Sequence, residues 1–268
     1  MSPAERVSNE VLAAFELERL LHRAAAERFE RVPCGWVAAN GSLPAVWDAS
    51  RVQVEPDAPP PTLEELLELA ELPARWFPQL RHRQAYIAAT AAGTELAFSL
   101  ARRGWHVNEL WLMVRRTPPR RVPPQAARVD GAPLRNLKGR LGVEQGLDPA
   151  HVAEFDRYDD LRARAGARLS HAGVANGNAV ALADLYLRGD IAVIEDVATL
   201  RRFRGRGYGS AAVLSATAAA FRVSARAVYL FAAPDVARGF YERLGFERIG
   251  GAYDCQLAPA GEHGQWRE

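Results

Sequence analysis

The sequence predicts an α/β (α+β) fold, a mixed sheet flanked by helices, arranged as two tandem halves. Three observations carry that expectation. Apolar strand-like runs alternate with helical runs, most clearly from Ile191 to Leu257. Pro118-Pro119-Arg120-Arg121-Val122-Pro123-Pro124 divides the 268 residues near their middle, and paired prolines make a stiff connection rather than a core element. The first half also repeats, faintly, the order of the second.

In the second half, residues 133–146 and 150–166 read as helices separated by Asp148-Pro149. Segments 168–175 and 179–187 form a hairpin across Asn176-Gly177-Asn178. A strand at 190–199 follows, opened by the apolar Ile191-Ala192-Val193-Ile194. A glycine-rich turn then leads into a helix at 209–222 that lacks Gly and Pro after its first turn. Strand 226–233, helix 235–244 and strand 246–257 complete this half. Gly245 is placed to end the last helix in the left-handed conformation.

The first half echoes this order. Strand 50–55 precedes a helix from Thr62 to Leu72, opened by the capping box Thr62-x-x-Glu65. Residues 83–90 read as a strand, Glu95 to Arg103 as a helix ending at Gly104-Trp105, and Glu109 to Val114 as a strand. A first helix from Glu10 to Glu30 carries Val11, Leu12, Phe15, Leu17, Leu20 and Leu21 at roughly helical spacing. Core packing accounts for that stripe without a ligand.

Composition narrows the function classes. With 49% hydrophobic and 25% charged residues, the chain has an ordinary globular balance. A net charge of +2 is too small to argue for nucleic acid or a membrane surface. The two cysteines, Cys34 and Cys255, offer neither metal spacing nor a disulfide framework, so a reducing compartment is expected and no metal. No apolar run reaches the length of a membrane span and the N-terminus lacks a signal-peptide pattern, so a cytoplasmic location is expected.

The segment from Thr199 to Ser210 carries the chemistry. A strand, a glycine-rich turn and a helix start aim several backbone N–H groups one way and add the positive end of the helix dipole, which suits phosphate. Arg201, Arg202, Arg204 and Arg206 add fixed charge. The glycines are spaced G-x-G-x-G, which does not fit the dinucleotide fingerprint, and no P-loop lysine follows. The spacing Arg204-x-x-Gly207-x-Gly209 instead resembles the pyrophosphate loop of the general N-acetyltransferase (GNAT) superfamily. Further on, Phe240-Tyr241-Glu242-Arg243-Leu244-Gly245-Phe246 is similar to the x-F-Y-x-x-x-G-F element closing the core of that superfamily.

The resemblance implies an acetyl-CoA-dependent N-acetyltransferase in residues 125–268, and a degenerate GNAT-like domain in residues 1–120. It implies that backbone at Val197, Ala198 and Thr199 holds the pantetheine arm. Backbone of Arg204, Gly205, Arg206, Gly207, Tyr208, Gly209 and Ser210 would take the pyrophosphate. Tyr241 would be the acid for the leaving thiolate, against a plain packing role. For the base, strand alternation puts Glu195 on the cleft face with Val193 and Val197 and is preferred over Asp196. Either carboxylate could equally pair with a nearby arginine, or the amine could arrive already neutral.

In the first half, Asp57-Ala58-Pro59-Pro60-Pro61 stands where the phosphate loop belongs, and proline has no N–H to offer. Aligning Gly104 with Gly245 puts Leu100 where Tyr241 stands. Tyr186 and Asp184 are candidates to line the acceptor pocket, and His171 reads as a structural histidine. The acceptor would be a small-molecule or peptide amine, and a homodimer is left open. Two other functions stand beside transfer: an acetyl-CoA-binding regulatory module without activity, and a nucleic-acid or acidic-surface binder using the 201–206 arginines.

Overall fold

The computed structural model describes residues 7–259, so the outermost ends of the two expected halves, 1–6 and 260–268, lie outside it. The chain forms two compact units. One runs to Leu112 and takes back the stretch from Ile249 on; the other is Met113–Arg248. The division thus falls inside a strand rather than in the proline run, because backbone pairing, not chain connectivity, holds a sheet together.

In the first unit, helix α1 (Asn9–Ala25) opens on Ser8, whose hydroxyl accepts from the Val11 N–H. It buries Val11, Phe15, Leu17 and Leu21, as the stripe predicts. It is shorter than expected, because Arg28–Val32 (β1) turns back on Gly35–Ala39 (β2) as an antiparallel hairpin, registered Val32 to Gly35. Strand β3 (Arg51–Val54) leads to α2 (Leu63–Trp76). The capping box is formed: Glu65 N–H donates to Thr62 Oγ1 at 3.2 Å, and Thr62 N–H to Glu65 Oε2 at 2.7 Å. Such a cap is worth about 1 kcal/mol. Strand β4 (Arg83–Ala88) and helix α3 (Ala91–Ala101) follow, then β5 (His106–Arg115).

The last strand of the chain, β11 (Glu247–Leu257), pairs antiparallel with β4 from Ala252–Ala88 to Leu257–Arg83, and stands between β4 and β5. The first unit therefore takes a strand from the far end of the sequence. Cys34 and Cys255 are free and share its apolar core with Val52, Ile87, Leu96 and Leu100.

The second unit contains β6 (Ala126–Arg128), α4 (Gly131–Gln145), α5 (Pro149–Arg162), β7 (Ala167–Ala175), β8 (Asn178–Arg188), β9 (Ile191–Thr199), α6 (Tyr208–Arg222) and β10 (Ala227–Ala232). Its strands lie in the order β10-β9-β8-β7-β6, antiparallel except for the β10–β9 pair. The β7–β8 turn has positive φ at Asn176 (50°) and Gly177 (76°), the geometry of the tight hairpin turn the Asn-Gly pair predicts. Helix α4 packs Leu137 and Leu141 onto Val180 and Leu182 of β8 and onto Leu200. Among the described residues, no helix is long and apolar enough to cross a membrane.

The segment expected as a regular helix at 235–244 is not one. It begins as a single turn (Pro234–Val236), widens to a π turn (Ala237–Tyr241) in which Glu242 N–H donates to the Ala237 carbonyl, and ends as a 3₁₀ turn (Glu242–Leu244). Gly245 closes it with φ 79°. A π turn inserts one residue and re-aims the side chains beyond it, and such turns gather at functional sites.

Candidate active site

The turn between β9 and α6 is built to leave amides free. Gly205 and Gly207 both have positive φ (71° and 80°), and Gly207 is the N-cap of α6. At the start of α6, Ala211 N–H donates to the Gly207 carbonyl at 3.0 Å. The N–H groups from Gly205 to Ser210 meet no backbone acceptor among the described residues. Arg204 folds back so that Nε donates to the Thr199 carbonyl at 3.1 Å, and Arg201 N–H donates to Glu144 Oε2 at 2.8 Å. Tyr208 packs edge-on against Phe203 at 5.9 Å. The guanidiniums of Arg201, Arg202, Arg204 and Arg206 are exposed, and among the described residues none is in an ion pair. The turn is therefore a concentration of unspent donors at the positive end of a helix dipole. Gly209 completes it: a Cβ there would stand 2.9 Å from Thr199 Oγ1.

The strand before the turn splays. β9 pairs in parallel with β10 from Ile191–Ala227 to Val193–Tyr229, then leaves it, although β9 runs on to Thr199. On its other edge β9 stays paired to β8 as far as Thr199–Ala181. Val197, Ala198 and Thr199 are thus anchored on one side and present a half-exposed open edge on the other. A bulge accompanies the splay. The β8–β9 register shifts between Leu182 and Asp184, whose partners on β9 are Ala198 and Glu195, so two residues of β9 face one of β8. Asp196 in the bulge has φ 52°, a left-handed conformation aspartate tolerates better than most residues. The bulge breaks the alternation on which the expectation for Glu195 rested.

Beneath the bulge lies a cluster of charge. Asp159 and Arg162 come from α5, Lys138 from α4, Arg168 from β7 and Asp184 from β8. The carboxylates of Asp159, Asp184 and Asp196 lie within 4.8 Å of one another. Lys138 and Arg168 supply the countercharge. Arg168 reaches Asp159 at 3.0 Å and Asp184 at 2.5 Å, while Lys138 bridges Asp159 and stands 3.5 Å from Asp184. Desolvation opposes the Lys138 charge, but Asp159, Asp184 and Asp196 overcome it and hold its ammonium above the ordinary lysine range. The Tyr186 hydroxyl donates to Asp159 Oδ1 at 3.1 Å.

Glu195 is committed elsewhere, in an ion pair with the buried Arg162 guanidinium, which also stacks over Tyr186 and Tyr158 at 4.6 and 5.1 Å. Asp196 is the odd member. Its carboxyl is pushed up to about 8, because surrounding protein strips its hydration and Asp159, Asp184 and Glu195 repel a further negative charge, with Lys138 opposing. Its side chain still reaches solvent, so water tempers the first effect and the upward direction rests on the neighbouring carboxylates. Asp184 and Tyr186 are fully buried and stand under the site rather than lining it.

Tyr241 ends the π turn and is nearly buried between Phe240 and Phe246, with ring centroids 4.9 and 5.9 Å away in edge-to-face contact. Burial holds its phenol above the ordinary tyrosine range.

The first unit has the same framework without these features. Trp105 N–H donates to the Leu100 carbonyl at 3.2 Å, as Phe246 N–H donates to Tyr241 at 3.1 Å, with Gly104 (φ 85°) matching Gly245. Leu100, fully buried, thus occupies the Tyr241 position. Strand β3 is four residues long and buried throughout, with parallel pairing to β4 as far as Val54–Ile87, so it has no splayed extension.

Sequence reasoning missed Lys138, Asp159, Arg162 and Arg168. One signal was there: Lys138 is the only lysine in the chain.

Comparison with known proteins agrees with this geometry. Residues 140–246 match the model of the Acetyltransferase (GNAT) family. The chain is similar to a functionally unknown conserved protein from Staphylococcus epidermidis (15% identity, TM-score 0.62, covering 86% of this chain and 93% of that one). It is similar to a GCN5-related N-acetyltransferase from Kribbella flavida (20%, 0.60, 94% and 95%). A tandem GNAT protein from the clavulanic acid biosynthesis pathway also matches (14%, 0.54, 96% and 98%). At these identities the likeness establishes the fold, a GNAT fold in tandem. A search of curated sequences finds no significant match.

Proposed function

We propose that this chain, whose residues 140–246 match the model of the Acetyltransferase (GNAT) family, transfers an acetyl group from acetyl-CoA to an amine. The observation that carries the reading is the row of unpartnered amides from Gly205 to Ser210 beside the open edge of β9. The amides and arginines of the turn would take the pyrophosphate. The edge at Val197, Ala198 and Thr199 would hold the pantetheine arm. Acetyl-CoA supplies an activated carbonyl and a thiolate leaving group.

Asp196, rather than Glu195, receives the proton the amine must lose, directly or through water. A carboxylate raised to about 8 is a stronger base than an ordinary one and still ionises near neutral pH. Tyr241 stays protonated and donates to the sulfur as charge develops there. Its raised pKa favours hydrogen bonding over complete proton transfer. The acidic surroundings of Asp196 favour an acceptor that arrives as a cationic amine, a small molecule or a peptide. The cytoplasm suits a cosubstrate of this kind.

The test is release of free thiol from acetyl-CoA across a panel of amines, with calorimetric titration of coenzyme A. Saturable coenzyme A binding with amine-dependent release supports transfer. Binding with no release on any amine supports a regulatory module. No binding removes the proposal.

A further inference from the structure

A second recess lies on the same unit, between β6, β7 and the second half of α6, well along that helix from the Gly207 turn. It encloses about 340 Å³, at the small end of ligand-site volumes. Leu169, Ala219 and the exposed Val223 give it an apolar wall, and Arg128 and Arg222 stand at its rim. Among the described residues, neither guanidinium has a carboxylate or hydrogen-bonding partner. His171 is in the wall and almost entirely buried. Its Nδ1 is 2.9 Å from Ser215 Oγ, while Nε2, also buried, meets no partner among the described residues. Burial first, then Arg222 and Arg128, push the imidazole down to about 4, with Asp184 opposing. The ring is therefore neutral at ordinary pH.

We infer that this recess is a binding site for a small carboxylate with an apolar body. Two unpaired guanidiniums match a carboxylate, and Leu169, Ala219 and Val223 cover the hydrocarbon. A neutral amide would leave both guanidiniums unmatched, and a bare inorganic anion would leave the apolar wall wet. The site is separate from the β9–α6 turn and does not depend on acetyl transfer.

The experiment is titration of the full chain, with coenzyme A already saturating, by benzoate, by benzamide and by sulfate, read by calorimetry and thermal shift. Saturable binding of benzoate, at least tenfold tighter than benzamide and sulfate, is expected. Arg128→Gln with Arg222→Gln, both on exposed side chains, weakens benzoate at least tenfold. Ala219→Leu, which fills the recess without touching charge, also abolishes benzoate binding and leaves coenzyme A binding unchanged. Equal affinity for benzoate and benzamide overturns the inference. So does benzoate binding that survives both sets of substitutions, or the absence of saturable benzoate binding.

Discussion

Glu195 and Arg162 form an ion pair between the middle of β9 and the end of α5, with the guanidinium almost wholly withdrawn from water. Removing one partner of such a pair strands the other, at about 3–5 kcal/mol. Glu195 therefore reads as a residue that holds α5 against the sheet, and its neighbour Asp196 as the one left to exchange protons.

Two substitutions separate these roles. Glu195→Gln should lower the melting temperature markedly and keep kcat within a few-fold. Asp196→Asn should keep the fold and lower kcat/KM by about 10²-fold, the usual share of a general base. Wild-type kcat/KM should rise with pH through about 8 and lose that limb in Asp196→Asn. Stability has the opposite sign. A carboxyl raised above its unfolded value binds more protons in the folded state, so its contribution is fullest at low pH and declines as pH climbs toward 8. Asp196→Asn should thus melt higher than wild type at pH 8, as seen by calorimetry. A Glu195→Gln enzyme that is folded but dead would reverse the assignment.

Tyr241→Phe should lower kcat by about 10²-fold and leave the Kd for coenzyme A nearly unchanged. The ring's contacts with Phe240 and Phe246 survive the substitution. Wild-type turnover would assign Tyr241 to packing alone.

Gly207 and Gly209 should resist replacement for different reasons. Gly207→Ala forces a left-handed backbone on a residue with a Cβ, costing about 1–2 kcal/mol. Gly209→Ala puts a methyl 2.9 Å from Thr199 Oγ1, between the turn and the β9 edge. Both should weaken coenzyme A by about tenfold or more, read by calorimetric titration, because the amides are displaced.

Coenzyme A should bind once per chain. The first unit offers Leu100 where the second has Tyr241, prolines before α2, and a strand with no splayed extension. A calorimetric stoichiometry of two would contradict this.

Much of the molecule was legible beforehand because local chemistry enforces it. The Asn176-Gly177 turn, the Thr62–Glu65 box and the caps at Gly104 and Gly245 are set by backbone preferences that neighbours in sequence determine. The phosphate-type turn belongs with them, since glycine at 205 and 207 takes the positive φ of the turn without steric cost.

Tertiary pairing decided the rest. Sequence alternation has period two, and a bulge at Asp196 cancels it; only the mismatch of β9 against β8 reveals that. The assembly of Lys138, Asp159, Arg162, Arg168 and Asp184 draws on α4, α5, β7 and β8, and the raised proton affinity of Asp196 depends on it. The return of β11 to β4 is of the same kind. Sequence by itself therefore determined the strand-turn-helix that can grip an anion, through dihedral preference and hydrogen-bonding capacity. The charged surroundings of Glu195 and Asp196 come from contacts among α4, α5, β7, β8 and β9, which no local pattern encodes.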